Sequence, residues 1–351
     1  TEIYTLSLHD ALPISAVAAA MYPLLITIYN LYDEDNKPTK FGKSLFIGMA
    51  FVAGAGSIVT LLGAARAAVA FGFFKQMTAT ATVPGREIGF FELTYYMLPL
   101  ALLMIFLIWL YFMIFNKPEK SQVHGLRDRA KMLSSKLGPM KKNEKLTLII
   151  SISIIVILSI RSFIPFLTTL DKSALILLTT LSFFIFKILT VKDLEEIPWN
   201  IILLFGGAMC IGYCLWDTGA ATWLAVNWLA MFKDAPQFVF IMGISVFVLV
   251  MTNLIMNVAA ISIVLPVALV IAGYLGVAPE VILFAALVAA GNPYLLLVGA
   301  APNAIAYESK QFTSGQFFLA GLPMSVVLLA VIALFVLVVW PIMGMPVYLN
   351  N

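Results

Sequence analysis

The chain is poor in charge. Of its 351 residues only 11% are Asp, Glu, Lys or Arg, while 62% are hydrophobic and the mean hydropathy is +1.01. Soluble domains carry about a quarter charged residues, so this chain is solvated chiefly by lipid. A net charge of +3 gives no footing for nucleic acid as a partner. Histidine is almost missing: His9 falls in an atypical N-terminal stretch and His124 in a basic loop, which leaves none for acid–base catalysis. The two cysteines, Cys210 and Cys214, lie in one apolar run. On a helix they share a face, too far apart to bridge and too few to hold a metal. With no metal cluster, phosphate loop or acid–base set in a suitable place, the chain is not expected to be an enzyme or to carry a cofactor.

Long apolar runs are what the chain has in abundance. A bilayer core takes about 20 apolar residues per helix, and apolar runs fall at 16–32, 44–74, 93–115, 146–164, 174–189, 199–215, 238–254, 258–274, 281–298 and 316–340. The expected fold class is an all-α polytopic membrane protein, with the bilayer as its principal partner. The longest hydrophilic stretch, 117–145, carries Lys117, Lys120, Arg127, Arg129, Lys131, Lys136, Lys141, Lys142 and Lys145 against Glu119, Asp128 and Glu144. The excess of basic residues places this loop in the cytoplasm. Counting spans from it puts 33–43 and 187–196 inside as well, and the C-terminus outside.

Two short motifs interrupt the apolar runs at matching places. GAARA (63–67) and GAAPN (299–303) are each preceded by an apolar segment holding a proline, Pro23 or Pro266. Each is followed by aromatic-rich sequence, then Leu-Pro (Leu98-Pro99, Leu322-Pro323) and a final span. Broken spans at corresponding positions of two halves point to the binding site of a transporter built from internal repeats. The runs 238–254 and 258–274 are too closely linked for two ordinary crossings. Asn253 and Asn257 would then be buried among apolar groups at a cost. A re-entrant hairpin over about 238–274, with its tip lining a wet cavity, removes the conflict; a plain helical hairpin with interhelical amide bonds is the alternative.

Residues 1–15 (TEIYTLSLHDALPIS) have neither the basic start nor the apolar run of a signal peptide. They resemble a translated sequencing adapter, so native sequence is expected to start near Ala16. The expected organisation is 1–15 non-native and 16–116 the remnant of a first repeat (hairpin return arm, broken helix, span). The basic loop 117–145 follows, then 146–351 as a second repeat with a broken helix at about 281–308. The tip of the first hairpin would lie upstream of residue 16, and the chain alone is not expected to transport.

The stretch 193–208 (DLEEIPWNIILLFGGA) resembles the signature of the divalent anion/sodium symporter family, the dicarboxylate, citrate and sulfate carriers of the wider ion-transporter superfamily. The order that follows is also similar: a hairpin, a broken helix with Pro302-Asn303, then Ala320-Gly321-Leu322-Pro323 and a last span. The resemblance covers essentially 16 to the end. It implies two inverted repeats, each with a hairpin tipped Ser-Asn-Thr and a broken helix marked Gly-Thr-Pro-Pro-Asn, an elevator motion and a homodimer. It further implies a bacterial or archaeal plasma-membrane location.

On this sequence Asn257 takes the central Asn of the second tip, with Met256 and Val258 in place of Ser and Thr, and Thr252-Asn253 as lead-in. Pro302 and Asn303 match the second broken helix, with Ala300 in place of Thr. The first keeps Gly63, but Ala64, Ala65, Arg66 and Ala67 replace Thr-Pro-Pro-Asn. By this resemblance Asn257, Asn303, Pro302, Arg66 and Gly63 would bind a small anionic substrate. Thr252, Asn253, Asn257 and Ala300 would bind sodium. Unwound backbone and half-helix ends support such a cradle on physical grounds alone.

Arg66 stands out. A guanidinium in an apolar run costs at least about 2.5 kcal/mol at membrane depth unless it faces water or an anion. It would either pair with the anionic substrate or substitute for a bound sodium; a helix ending early, with Arg66 snorkelling to the headgroups, is the plain alternative. Arg161, Asp171, Asp217 and Glu308 read as span-end residues. The expected function is secondary active transport of a small anion, most simply a di- or tricarboxylate or sulfate, by sodium symport or exchange. An arsenite or sodium/proton permease, or a degenerate non-transporting membrane protein, are the other readings.

Overall fold

The structure is a computed structural model. It describes residues 12–32, 37–60, 63–79, 88, 90–120, 140–160, 172–190, 192, 214, 218–232 and 235–349. The signature at 193–208, Cys210, Arg161, Asp171, Asp217 and most of the basic loop lie outside the described residues, as do residues 1–11 of the N-terminal stretch. The chain divides into two compact units, 1–119 with 201–351, and 120–200. In the second unit α5 (Lys142–Ile160) packs against α6 (Lys172–Ile185); the remaining helices belong to the first.

That first unit opens with α1 (Leu12–Tyr32), α2 (Lys40–Gly56), α3 (Ala65–Ala79) and α4 (Phe90–Phe115). After the second unit come α7 (Ala220–Ala230), α8 (Gln237–Leu254), α9 (Asn257–Tyr274), α10 (Pro279–Gly291), α11 (Ala301–Tyr307) and α12 (Ser314–Leu334). A π-helical turn at Phe335–Val339 carries α12 into α13 (Trp340–Ile342). No strand occurs among the described residues beyond one isolated bridge, Val277 to Tyr348. The fold is the all-α polytopic membrane class that the apolar runs require.

Among the described residues four helical segments are long and apolar enough to cross a bilayer: Glu92–Phe115, Gln237–Leu254, Asn257–Tyr274 and Ser314–Ile342. The first shows how sequence sets its orientation. Met97, Leu100, Ala101, Met104, Ile108 and Phe112 of α4 are buried, whereas Leu98, Leu102, Phe106, Trp109 and Met113 form an exposed apolar stripe. A stripe of that size suits hydrocarbon rather than water.

The α8–α9 pair behaves differently. Its arms are joined only through Ile255 and Met256, both with extended or polyproline-like backbone. Of these arms 61% and 50% is buried within the protein, against 28% for α4. The pair is therefore set into the body of the unit. At its centre runs α10, every residue of which is buried. That explains why its sequence is apolar all round.

The helices around α10 pack reciprocally. The second hairpin arm α9 lies on α3, the helix after the first break, and α1 lies on α11, the helix after the second. α2 packs on α4, and α10 on α12. α9 thus reaches the helix after the first break and α1 the helix after the second.

Candidate functional site

The first break separates α2 from α3. α2 ends at Gly56, with Ser57 as its C-cap, and α3 starts at Ala65. The second separates α10 from α11. α10 ends at Gly291 and α11 starts at Ala301, with Asn292 to Ala300 unwound except for one 3-10 turn at Leu297–Gly299. The C-terminal ends of α2 and α10 meet: a Cβ on Gly54 would lie 3.0 Å from the Gly291 carbonyl oxygen and 3.3 Å from Oδ1 of Asn292. A side chain there would force the α10 end to give by a few tenths of an ångström.

Three asparagines lace the second break. Asn253, at the end of α8, donates to the Leu249 carbonyl at 2.7 Å and accepts from the Leu295 and Leu296 amides at 2.9 and 3.0 Å. Asn303 donates to the carbonyls of Pro293 at 2.9 Å and Leu296 at 3.1 Å. Asn292 donates to Val288 at 2.7 Å and accepts from the Tyr294 hydroxyl at 2.7 Å. Every one satisfies backbone groups that unwinding has orphaned, which is what a break buried in apolar surroundings demands. Tyr294 itself is wedged against Phe51 of α2, ring centroids 4.5 Å apart.

At the hairpin tip, the Thr252 hydroxyl lies 2.5 Å from Oδ1 of Asn257 and 3.0 Å from the Ala290 carbonyl. One hydroxyl proton cannot serve both acceptors. Donation to Ala290, with the Asn257 amide turned so that its NH2 faces Thr252, satisfies all three groups. Asn257 then presents its oxygen elsewhere. It is half-buried at the first position of α9, whereas Thr252 and Asn253 are buried.

The sequence-derived residues therefore separate. Thr252, Asn257, Asn253, Pro302, Asn303 and Ala300 gather where the α8–α9 tip meets the second break, and Gly63 and Arg66 belong to the first. The Asn253 and Asn303 amides are committed to holding the unwound chain. Ala300 is the N-cap of α11, and its carbonyl accepts from the Asn303 and Ala304 amides at 3.1 and 3.5 Å. Pro302 occupies the first turn of that helix, where its missing N–H costs nothing. Gly63 sits in the first turn-out, where a Cβ would come 2.5 Å from the Ser57 carbonyl oxygen. Arg66 is 2% exposed, so it is not reaching for solvent or headgroups. Sequence reasoning missed Ser57, Asn292 and Tyr294. The Asn292-Pro293 pair was a usable signal, since such dipeptides mark turns.

Apolar helices broken in mid-run, with the two breaks facing each other beside a buried helical hairpin, are the architecture of a membrane transport protein. Comparison with known proteins gives the family. The chain belongs to the sodium:sulfate symporter family, whose transmembrane-region description matches residues 3–346. That match starts inside the stretch 1–15, and α1 begins at Leu12. It makes the chain a member of a transporter family rather than an enzyme family.

Among its relatives, a sodium-dependent dicarboxylate transporter of Staphylococcus saprophyticus is 24% identical, covering 95% of this chain and 67% of that protein. An uncharacterized transporter of Methanocaldococcus jannaschii is 25% identical, covering 92% and 69%. A sodium-dependent dicarboxylate transporter of Staphylococcus aureus is 25% identical, covering 93% and 66%. The chain thus spans about two thirds of the length of the curated relatives it matches.

Proposed function

We propose that this protein is a secondary active transporter of a small dianion, with a dicarboxylate as the first candidate and sodium as a co-transported substrate. The observation that carries the reading is the meeting of two helix breaks with the Thr252–Asn257 tip. Unwound backbone there offers amides and carbonyls side by side, the pairing that an anion and its coupling cation need. Two dicarboxylate-carrying relatives make a dicarboxylate the first substrate to try. The chain's own oxygen and amide groups suit the task. Asn257 supplies one oxygen and one NH2 at the tip, and Thr252 orients it. Pro293 to Gly299 contribute backbone groups held by Asn253 and Asn303. Ala300, with its carbonyl already accepting two amides, is the weaker of the sodium-ligand candidates.

We further infer that loop 117–145 is cytoplasmic and the C-terminus external, that the two broken helices belong to inverted repeats, and that the protein works as a homodimer. The test of function is uptake of labelled succinate, citrate and sulfate into proteoliposomes holding the protein expressed from its genomic reading frame, with and without a sodium gradient. Sodium-driven accumulation of at least one of the three is the expected result. Equal uptake without sodium would move the reading to anion exchange; no uptake or competition by any of them would sink it.

A further inference from the structure

The charge of Arg66 faces the ends of two helices that are not its own. α3 begins at Ala65, so Arg66 lies in a first turn, where the helix dipole disfavours a cation. Its position must be governed by other elements. Nη2 donates to the Ser57 hydroxyl at 2.5 Å, and Ser57, the C-cap of α2, donates in turn to the Gly54 carbonyl at 2.6 Å. The same end of the guanidinium lies against Gly291, the last residue of α10: a Cβ there would be 2.8 Å from Nη2 and 3.4 Å from Cζ. Arg66 is thus built in between the C-terminal ends of α2 and α10, at the point where those ends converge.

Two helix C-termini brought together present about half a negative charge each, along with carbonyls that lack intrahelical donors. Such a place repels anions and takes a cation. In transporters with broken helices, half-helix C-terminal ends and unwound carbonyls are where the coupling ion is held. A dianion paired to Arg66 at this point would meet both negative ends. We therefore propose that Arg66 is a tethered cation, a fixed substitute for one mobile coupling ion at the convergence of α2 and α10. Sodium coupling is then left to the Thr252–Asn257 tip. The inference rests on the sodium-coupled reading above and sharpens it: one cation place is filled by the chain and needs no sodium.

The experiment is sodium-dependent thermal stability of the purified protein, compared with choline as the inert cation. It uses the wild type, Arg66→Ala and Arg66→Lys. In Arg66→Ala the vacated place should bind sodium or low concentrations of guanidinium ion. Its melting temperature, lowered in choline, should climb by about 5 °C more than that of the wild type once the added cation exceeds its dissociation constant about a hundredfold. Arg66→Lys keeps a charge on the chain and should follow the wild-type sodium response. In proteoliposomes the Hill coefficient for sodium should rise by about one in Arg66→Ala.

A sodium response of Arg66→Ala identical to that of the wild type would overturn the proposal. So would an Arg66→Ala protein that neither sodium nor guanidinium restores, or an Arg66→Lys protein that gains the same extra sodium stabilisation as Arg66→Ala. The melting shift is read without any substrate, so it stands or falls independently of which anion is carried.

Discussion

The carbonyl oxygen of Tyr294 occupies the space where a side chain at position 321 would begin: a Cβ on Gly321 would lie 1.9 Å from it. The backbone of α12 is therefore laid directly on the second break. Because the obstacle is a carbonyl rather than a flexible side chain, no rotamer change relieves it. Gly321→Ala should displace Tyr294 from Phe51 and with it the strand of chain that Asn253 and Asn303 hold. A loss of about 3 kcal/mol in unfolding is expected, with uptake abolished. Gly72→Ala is the control, since nothing lies within 4 Å of a Cβ there. It sits inside α3 and should be neutral or stabilising by up to about 1 kcal/mol. Equal behaviour of the two variants in detergent unfolding and uptake would refute the packing argument.

Much of the architecture was legible because bilayer physics writes it into composition. A membrane helix must be apolar for about 20 residues, so the spans Glu92–Phe115 and Ser314–Ile342 announce themselves. The second break was legible for the same reason, since polar and small residues inside such a run are expensive: the unwound stretch from Asn292 to Ala300 ends just before Pro302-Asn303, which lie in the first turn of α11. What sequence could not supply was partnership. Nothing local says that Arg66 lies against Gly291, that Thr252 donates to Ala290, or that Asn253 holds Leu295 and Leu296. These pairs are made by α9 packing on α3 and by the hairpin lying on α10, and such tertiary packing leaves no periodicity to read. Asn253 and Asn303 illustrate the gap. Their polarity singled them out as ligands, but the same polarity serves the orphaned backbone of the break.

Thr252 supports the tip through one hydroxyl. Thr252→Val keeps the shape but removes the donor to Ala290, in a buried place, and the acceptor for the half-buried Asn257. An unsatisfied buried group costs about 1–3 kcal/mol. Sodium-driven uptake should fall at least about tenfold, with the sodium half-saturation concentration rising, while Thr252→Ser stays within about threefold of wild type. If Val and Ser were equally active, the hydroxyl would have no part in the site.

Thr313 tests the scaffold apart from the site. It caps α12, accepting from the Gln316 amide at 3.3 Å while Gln316 returns an acceptor to the Thr313 amide at 3.0 Å. Thr313→Ala should cost about 1 kcal/mol of stability and leave the substrate KM where it was. A changed KM with unchanged stability would mean that this end of α12 belongs to the binding machinery.

Glu119 makes stability depend on pH in a direction that can be worked out. Its carboxylate accepts from the Lys40 amide at 2.5 Å, the Tyr32 hydroxyl at 3.1 Å and the Phe41 amide at 3.4 Å. It thereby ties the end of α4 to the first turn of α2, where the helix dipole favours an anion. Partial burial pushes the carboxyl upward, but hydrogen bonds from the Lys40 amide, its own amide, Tyr32 and Phe41 outweigh that and hold it below the usual carboxylate range. A group depressed in this way stabilises the folded state fully above its unfolded pKa, about 4.3. That stabilisation drains away as pH falls through the lower folded value. Glu119→Gln should therefore be less stable than wild type at neutral pH, by a small margin because the group is exposed and screened. The two should converge as the pH drops below about 4. Melting curves from neutral to acid pH decide it: curves that run parallel throughout would show that the carboxylate is not the tie between α4 and α2, since a neutral amide would then hold α2 equally well at every pH.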